Sequence, residues 1–518
     1  INEANHIELL AGYTTQKSTV EYSTATSNDY ANESLGHHNL AGGSIAISPT
    51  SGGAESVLNS WLGRVNYSLF ERYNFTATIR ADGSSRFAQN KRRGYFPSIG
   101  AAWNINEESF YNKSSVVNTL KLRLSAGTVG NQEIGDYRYE DYYSPSKYSF
   151  AGKTVIAYAR SNRANPDLKW ETTSQYNVGL DIGLWTNRLT LTIDAYSKKT
   201  SDLLVEIPVE ITSGFASVLK NVGDVTNKGI EFALNAGIIQ RKDFNWNASF
   251  VLAKNVNEIT DLGGLSSFIP GFSLSDGTAT LDGVDPLIVQ KGEPLGSFYG
   301  FVFDGVVQTG DNPANVPVPG WIGSVSPGDP KFIDQNGDHV IDNADKVILG
   351  NAQPKFTYGL SSSLNYKNFD LFFAFQGNYG NHLYNGLRHK LETTSIFYNA
   401  SGTLRDRWTV TNPSNSVPRV VNAPYLTLDS RYIEDASYLR LKNITFGYTL
   451  PFKISKVPGS QLRIFASAQN LFVITDYTGF DPEASYYGGD ETNGLYQGID
   501  FGAYPSAKTY SAGLNITF

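Results

Sequence analysis

The stretch DQNGDHVIDNAD, residues 334–345, carries the sharpest local chemical signal in the chain. Asp334, Asn336 and Asp338 stand at positions 1, 3 and 5 of a calcium-type loop. Val340 would give its carbonyl at position 7, Asp342 lies at 9 and Asp345 at 12. Calcium takes six to eight oxygens, and this spacing lets one short loop wrap them around the ion. The stretch departs from the EF-hand pattern twice: His339 replaces the glycine at position 6, and the last ligand is Asp rather than Glu. The flanks, GDPKFI and KVILG, read as strand or irregular loop rather than paired helices. A bound Ca2+ here has a structural role, pinning a long loop. The competing reading is an acidic turn held by Asx-type hydrogen bonds.

A second group is aromatic. Tyr142, Tyr143, Tyr148, Tyr477, Phe480, Tyr486 and Tyr487 fall in long connecting segments, and Trp321 falls in the longest. Aromatic faces stack on sugar rings, so these are candidate substrate contacts. The competing reading is that they pack loops together or anchor a rim. Enzyme signatures are poor. His6, His37, His38, His339, His382 and His389 include no HExxH pair, GKT at 152–154 lacks the upstream glycine of a phosphate loop, and no GxSxG elbow occurs. With no cysteine, disulfides, thiolate metal sites and cysteine nucleophiles are excluded. The expectation is that the chain is not an enzyme.

These residues need elements to position them, and the elements read as strands. The composition, with 31 Tyr, 29 Phe and 49 Gly, is that of sheets and tight turns. In YNFTATIRAD, Tyr73, Phe75, Ala77, Ile79 and Ala81 alternate with Asn74, Thr76, Thr78, Arg80 and Asp82. Such a strand has one apolar and one polar face. The same alternation recurs around Trp61–Leu69, Tyr176–Leu184, Leu189–Ile193, Ile230–Ile238, Phe244–Leu252, Phe356–Leu364 and Phe369–Phe375. Leu439 and Leu441 then slip one place to Ile444, Phe446, Tyr448 and Leu450, which predicts a β-bulge near Asn443. The end, YSAGLNITF, keeps the alternation through Tyr510, Ala512, Leu514, Ile516 and Phe518.

Short turns at 70–72, 185–188, 240–243 and 367–368 alternate with long segments at 17–57, 83–95, 130–171, 199–226, 255–355, 379–437 and 471–506. That rhythm, around roughly fourteen strands of about ten residues, is the pattern of an antiparallel outer-membrane β-barrel. Ten tilted residues span roughly 25 Å, the height of the apolar belt of such barrels. The polar faces, including Arg64, Arg80, Asp82, Arg123, Asp181, Asp194 and Glu231, then need a wet or plugged lumen. A soluble sandwich or propeller also alternates, but its strands are shorter, nearer five or six residues. No apolar run is long enough for a transmembrane helix, INEANHIELL shows no signal-peptide pattern, and the missing initiator methionine suggests a processed chain or fragment. The net charge of −7 argues against nucleic acid as a partner.

Several stretches together resemble the SusC/RagA-like TonB-linked outer-membrane transporters. They are GRVNYSLFERYNFTATIRADGSSRF (63–87), GYFPSIGAAWNI (94–105), LKLRLSAGTVGNQEIG (120–135), NPDLKWETTSQYNVGLDIGLW (165–185), NVGDVTNKGIEF (221–232) and YIEDASYLRLKNITFGYTLP (432–451). The resemblance implies an integral outer-membrane importer of oligosaccharides or peptides. It also implies a SusD-like surface lipoprotein lid, TonB as energy coupler, and a plug paired by charge with the barrel wall. Family members carry an N-terminal plug and about twenty-two strands. This chain therefore reads as the C-terminal portion, residues 1–518, without the plug or roughly eight of the strands. The segment 255–355 reads as a long extracellular insertion holding the calcium-type loop. The chain end looks like a barrel-assembly signal: Ser511, Gly513, Ile516 and Phe518. Two other readings stay open, a passive self-contained porin-like channel and a soluble calcium-dependent adhesin or lectin.

Overall fold

The computed structural model describes residues 5–517, except 33, 35, 113–115, 216, 271–283, 394–398, 422–426, 452–460 and 485–494. Fourteen strands form one sheet in which every strand pairs with its sequence neighbours. They are β1 (Asn5–Tyr30), β2 (Gly43–Leu69), β3 (Tyr73–Ser84), β4 (Arg93–Asn104), β5 (Val117–Asn131), β6 (Glu171–Leu184) and β7 (Leu189–Ser201). There follow β8 (Asp224–Arg241), β9 (Phe244–Asp261), β10 (Phe356–Tyr366), β11 (Phe369–Tyr379), β12 (Tyr438–Thr449), β13 (Gln461–Thr475) and β14 (Thr509–Thr517). All pairings are antiparallel. β1 and β14 are the two edges.

The period-two pattern becomes continuous rows across strands. Val65, Ala77, Ile99, Ala126 and Tyr176 stand side by side, as do Tyr67, Phe75, Ala101, Leu124 and Val178. The two rows line a shallow apolar groove of about 640 Å³ on the outer face. Large apolar side chains on this face are open: Trp61 is 65% exposed and Ile79 54%. A contiguous belt of this kind is tolerated in lipid and not in water. The bulge expected near Asn443 is present. Leu441 pairs with Phe375 and Asn443 with Ala374, which leaves Lys442 as the extra residue.

Two expectations are corrected. Residues 17–57 are not a long loop: β1 runs 26 residues and β2 runs 27, and only 31–42 connect them. Beyond the belt both faces meet water, so the apolar signal ends while the ladder continues. Polar cross-strand contacts replace it, such as Lys17–Glu55 at 2.8 Å and Thr15 Oγ1 donating to Asn59 Oδ1 at 2.6 Å. Strand lengths accordingly reach well beyond ten residues.

The long segments carry structure of their own. Residues 143–150 pair with 153–160, and 204–208 with 217–221. Segments from 255–355 form a small sheet of Ser267–Phe268, Leu287–Gln290, Ser297–Gly300 and Val347–Asn351. A three-stranded sheet joins His382–Asn385 to Ile433–Asp435 and Ile499–Asp500. Between these sheets lies a core of Val284, Leu287, Phe298, Tyr384, Leu428, Tyr432 and Ile499. A short helix, α1 (Gly386–Glu392), is capped by Asn385, whose side chain accepts from the Arg388 N–H. It presses His389 against Tyr432, ring centroids 4.1 Å apart and nearly parallel. The Tyr384 hydroxyl meets His389 Nδ1 at 2.7 Å.

Burial pushes His389 down to about 4; Asp429 opposes the shift and Arg431 adds to it. The folded state thus holds this imidazole neutral, while the unfolded chain takes up a proton below about 6.5. Stability is full above that value and is lost as pH falls toward 4, by roughly 3 kcal/mol for a shift of this size. Limited proteolysis of the segment 386–437 should therefore accelerate between pH 6.5 and 4.5, and His389→Gln should abolish that dependence. Unchanged cleavage in the native chain would show that the ring is not held neutral. For the outer face, Ile79→Arg should cost about 2–4 kcal/mol in folding into vesicles, while Thr78→Arg, facing inward, should cost far less. Equal costs would mean that the faces have been assigned wrongly.

Candidate functional site: the inner wall and its long-loop end

Alternate residues of the same strands bring polar groups to the inner face. Arg123 on β5 grips two carboxylates at once. It donates to Asp181 on β6 at 2.8 and 3.0 Å and to Asp194 on β7 at 2.9 Å twice. Between Arg123 and Asp194 stands Gly179, where a Cβ would lie 2.5 Å from the guanidinium carbon, so only glycine leaves room for the reach. Arg80 grips Asp82 at 2.7 and 2.9 Å and also donates to Ser60 Oγ. Arg463 on β13 holds Asp370 on β11 at 2.8 and 2.5 Å. Arg64 donates to Thr78 Oγ1. Glu231 lies directly across from Asp194 and has no ion-pair partner among the described residues. The sequence suggested that such charges pair with a plug; for Arg80, Asp82, Arg123, Asp181 and Asp194 the pairing lies within the wall itself.

At the long-loop end, Arg440 on β12 is buried between Asp481, which accepts its hydrogen bond, and Glu483 at 2.8 Å. Its Nε is close to Glu483 but not aligned for a hydrogen bond. Glu483 also receives Lys442 Nζ at 2.9 and 2.8 Å and the Tyr438 hydroxyl at 2.8 Å. Sequence reading missed this cluster. Its signal was the bulge, which turns Lys442 toward the same acid as Arg440.

The aromatic candidates separate. Tyr142 and Tyr143 are exposed at the base of the 143–160 hairpin, and Phe480 and Tyr148 are exposed as well. Tyr477 is not available to stack on a ligand: it is 5% exposed, packs with Leu383 and Ala436, and donates to Asp500 at 2.7 Å. Burial and that bond push its phenol well above the ordinary range. Trp321 leans on Phe301 and Phe332, so it serves the loop core. No ring contact joins Tyr142 or Tyr143 to Phe480 among the described residues. Tyr486 and Tyr487 lie outside the described residues, as does Phe518. In the chain-end strand, Ser511 and Ile516 point to opposite faces. Gly513 lies under the Phe465 ring, where a Cβ would come within 2.6 Å.

In the calcium-type loop His339, in the glycine position, has φ of 64°. The carbonyls of His339 and Ile341 accept from Val318 and Gly320, so strand alternation turns the Val340 carbonyl the other way, the side on which its N–H meets Asp338. Ile341 is buried with Phe301 and Phe332 and anchors the loop. The carboxylates bond backbone N–H groups. Asp334 accepts from Gly337 and His339, Asp342 from Ala344, and Asp345 from Gln335 and Asp342. Partial burial raises the Asp334 carboxyl and these N–H bonds lower it, leaving it below its ordinary value. Among the described residues no three acidic or histidine side chains gather around one point.

Residues 4–471 match the family described as TonB dependent receptor-like, beta-barrel. TonB-dependent receptor P3 of Formosa agariphila is 38% identical over 99% of this chain and 51% of its own length. TonB-dependent receptor SusC of Bacteroides thetaiotaomicron is 34% identical over 89% of this chain and 44% of its own. The chain thus spans about half the length of the curated relatives it matches. The structure titled as that of the RagAB peptide transporter superposes with a TM-score of 0.81 at 28% identity, over all of this chain and 54% of that one. With its lipid-type outer rows and paired inner charges, the chain belongs to the TonB-dependent receptor-like β-barrel family and is an integral outer-membrane protein.

Proposed function

We propose that this chain supplies the barrel wall of an active importer of oligosaccharides or peptides. The observation that carries the reading is the two-faced wall: an unbroken apolar belt outside, and inside, a polar face on which Arg80, Arg123 and Arg463 are paired with neighbouring carboxylates. On this reading the exposed loop aromatics Tyr142, Tyr143 and Phe480 meet cargo at the cell surface beneath a SusD-like lipoprotein lid. A plug segment closes the bore, and TonB draws it aside using the proton gradient of the inner membrane. No covalent chemistry is asked of this chain. The likeness to SusC and to a peptide transporter supports the two cargo classes and the lid. The outer-membrane location sets aside the soluble adhesin; the porin-like channel differs in needing no TonB.

The loop at 334–345 supports a second proposal, a structural Ca2+ held by Asp334, Asn336, Asp338, the Val340 carbonyl and Asp345, with Asp342 beside them. The spacing of its oxygens along one short loop favours it.

Two outcomes follow. Deleting the gene and deleting TonB should abolish growth on the same member of a panel of oligosaccharide and peptide sources; growth that persists without TonB makes the protein a passive channel. Calorimetry should show saturable Ca2+ binding that is lost in Asp334→Ala/Asp338→Ala. If native protein and variant give the same blank trace, the loop is only a turn.

A further inference from the structure

On the outer face of β7, β8 and β9 the apolar rows give way to lysine. Val178 of the outer rows stands beside Ala195, and Ala195 beside Ile230; Tyr176 stands beside Ser197, and Ser197 beside Lys228. On the same face Lys254 of β9 stands beside Ile230, and Lys199 follows Ser197 on β7. Three exposed lysines on adjacent strands therefore point outward rather than into the bore.

The ladder sets their height. Phe244 meets Tyr366 at the short-turn end of β9 and β10. From Phe244 to Lys254 is roughly ten tilted residues, about 25 Å, the full height of an apolar belt. The lysines thus stand where hydrocarbon gives way to headgroups on the long-loop, cell-surface side. Lys199 is paired with Asp224 at 2.7 Å. Lys228 and Lys254 have no ion-pair partner among the described residues. The next acid on this face, Glu258, stands beside Thr226, one step further from the belt than Lys228. Lys228 and Lys254 are diagonal neighbours, which places their backbones about 7–8 Å apart. Ala253 pairs with Thr357, so Phe356 lies level with Lys254, and it stacks on Tyr379 with ring centroids 5.0 Å apart.

A single lysine at this depth lays its stem on the wall and its ammonium in water. Two unpaired ones side by side concentrate positive charge where a membrane offers phosphate, which ammonium groups bind as point charges. The stacked rings beside them give a flat face for a sugar. We propose that this corner of the wall binds a phosphorylated glycolipid of the outer leaflet, with Lys228 and Lys254 on its phosphates and the Phe356–Tyr379 pair against its sugar. The inference rests on the outer-membrane location and stands apart from the import reading.

Full-length protein in detergent is titrated with bis-phosphorylated lipid A, and native mass spectrometry reads the fraction carrying bound lipid. Binding should saturate, and Lys228→Gln and Lys254→Gln should weaken it about fivefold each and roughly thirtyfold together. Lys17→Gln, paired with Glu55 above the belt, should leave it unchanged. Dephosphorylated lipid A and phosphatidylglycerol, which lack the phosphates and the sugar respectively, should both bind more weakly. Both lysines are exposed on paired strands, so their replacement leaves folding intact, as heat-modifiable gel mobility checks. The proposal is overturned if lipid A does not saturate, if the double variant binds like the native protein, or if either comparison lipid binds as tightly. It is also overturned if cross-linking of the native membrane complex shows the two lysines covered by a protein chain instead of lipid.

Discussion

The constraint on which this structure depends is that hydrocarbon offers no partner to a peptide N–H or C=O. A chain crossing lipid without a long apolar helix must pair every backbone group with a neighbouring strand. That requirement alone dictates an unbroken antiparallel meander, with turns of two to a few residues where strands reverse at one end. It also sets the status of β1 and β14. Inside the membrane neither edge can face lipid, so each must be met by another strand. The edges differ in length, 26 residues against nine. The upper part of β1 stands in water, where an open ladder is tolerable.

The same pleat that satisfies the backbone sorts the side chains. Arg123, Asp181 and Asp194 occupy inward positions on three successive strands, and a single guanidinium serves both acids because Gly179 leaves open the way from Arg123 to Asp194. The same three residues one position along the chain would face lipid, where a charge near the midplane costs several kcal/mol. The register, fixed by the outer rows, therefore also fixes the lateral pairing of the inner charges. Glu231 is the informative exception: it faces Asp194 across the ladder with no ion-pair partner among the described residues.

How much of this is visible in the sequence depends on how many solvents a segment meets. Between lipid and lumen, Tyr73–Ala81 or Phe369–Phe375 alternate cleanly, and even the one-residue slip at Lys442 is legible. Where both faces meet water the alternation has no cause, and Lys17–Tyr30 reads as loop although it is strand. The long-loop end was opaque for a different reason. Its core joins Val284, Phe298, Tyr384, Leu428 and Ile499, which lie far apart in sequence, and no local period reports a contact of that range. Tyr477 shows the result: an aromatic residue in a long segment looks available, yet its hydroxyl is committed to Asp500. The 334–345 spacing was legible as a pattern, but pattern alone does not reveal where carboxylate oxygens point.

The loop core bears on recognition as well as on stability. Arg388 pairs with Glu392 within α1 and ties the helix to Glu434, each at 3.0 Å. Glu434 in turn accepts from Thr478 and from Asn385, the residue that caps the same helix. Two connecting segments, the one from β11 to β12 and the one from β13 to β14, are thereby held together above the wall. Ordering loops after a ligand arrives consumes binding free energy, whereas a scaffold already fixed leaves that energy for contacts. A wall strand such as β11 is rigid because it is paired on both sides, and Asn381 sits just beyond it, where the core takes over. Groups placed at that junction inherit their positions from both.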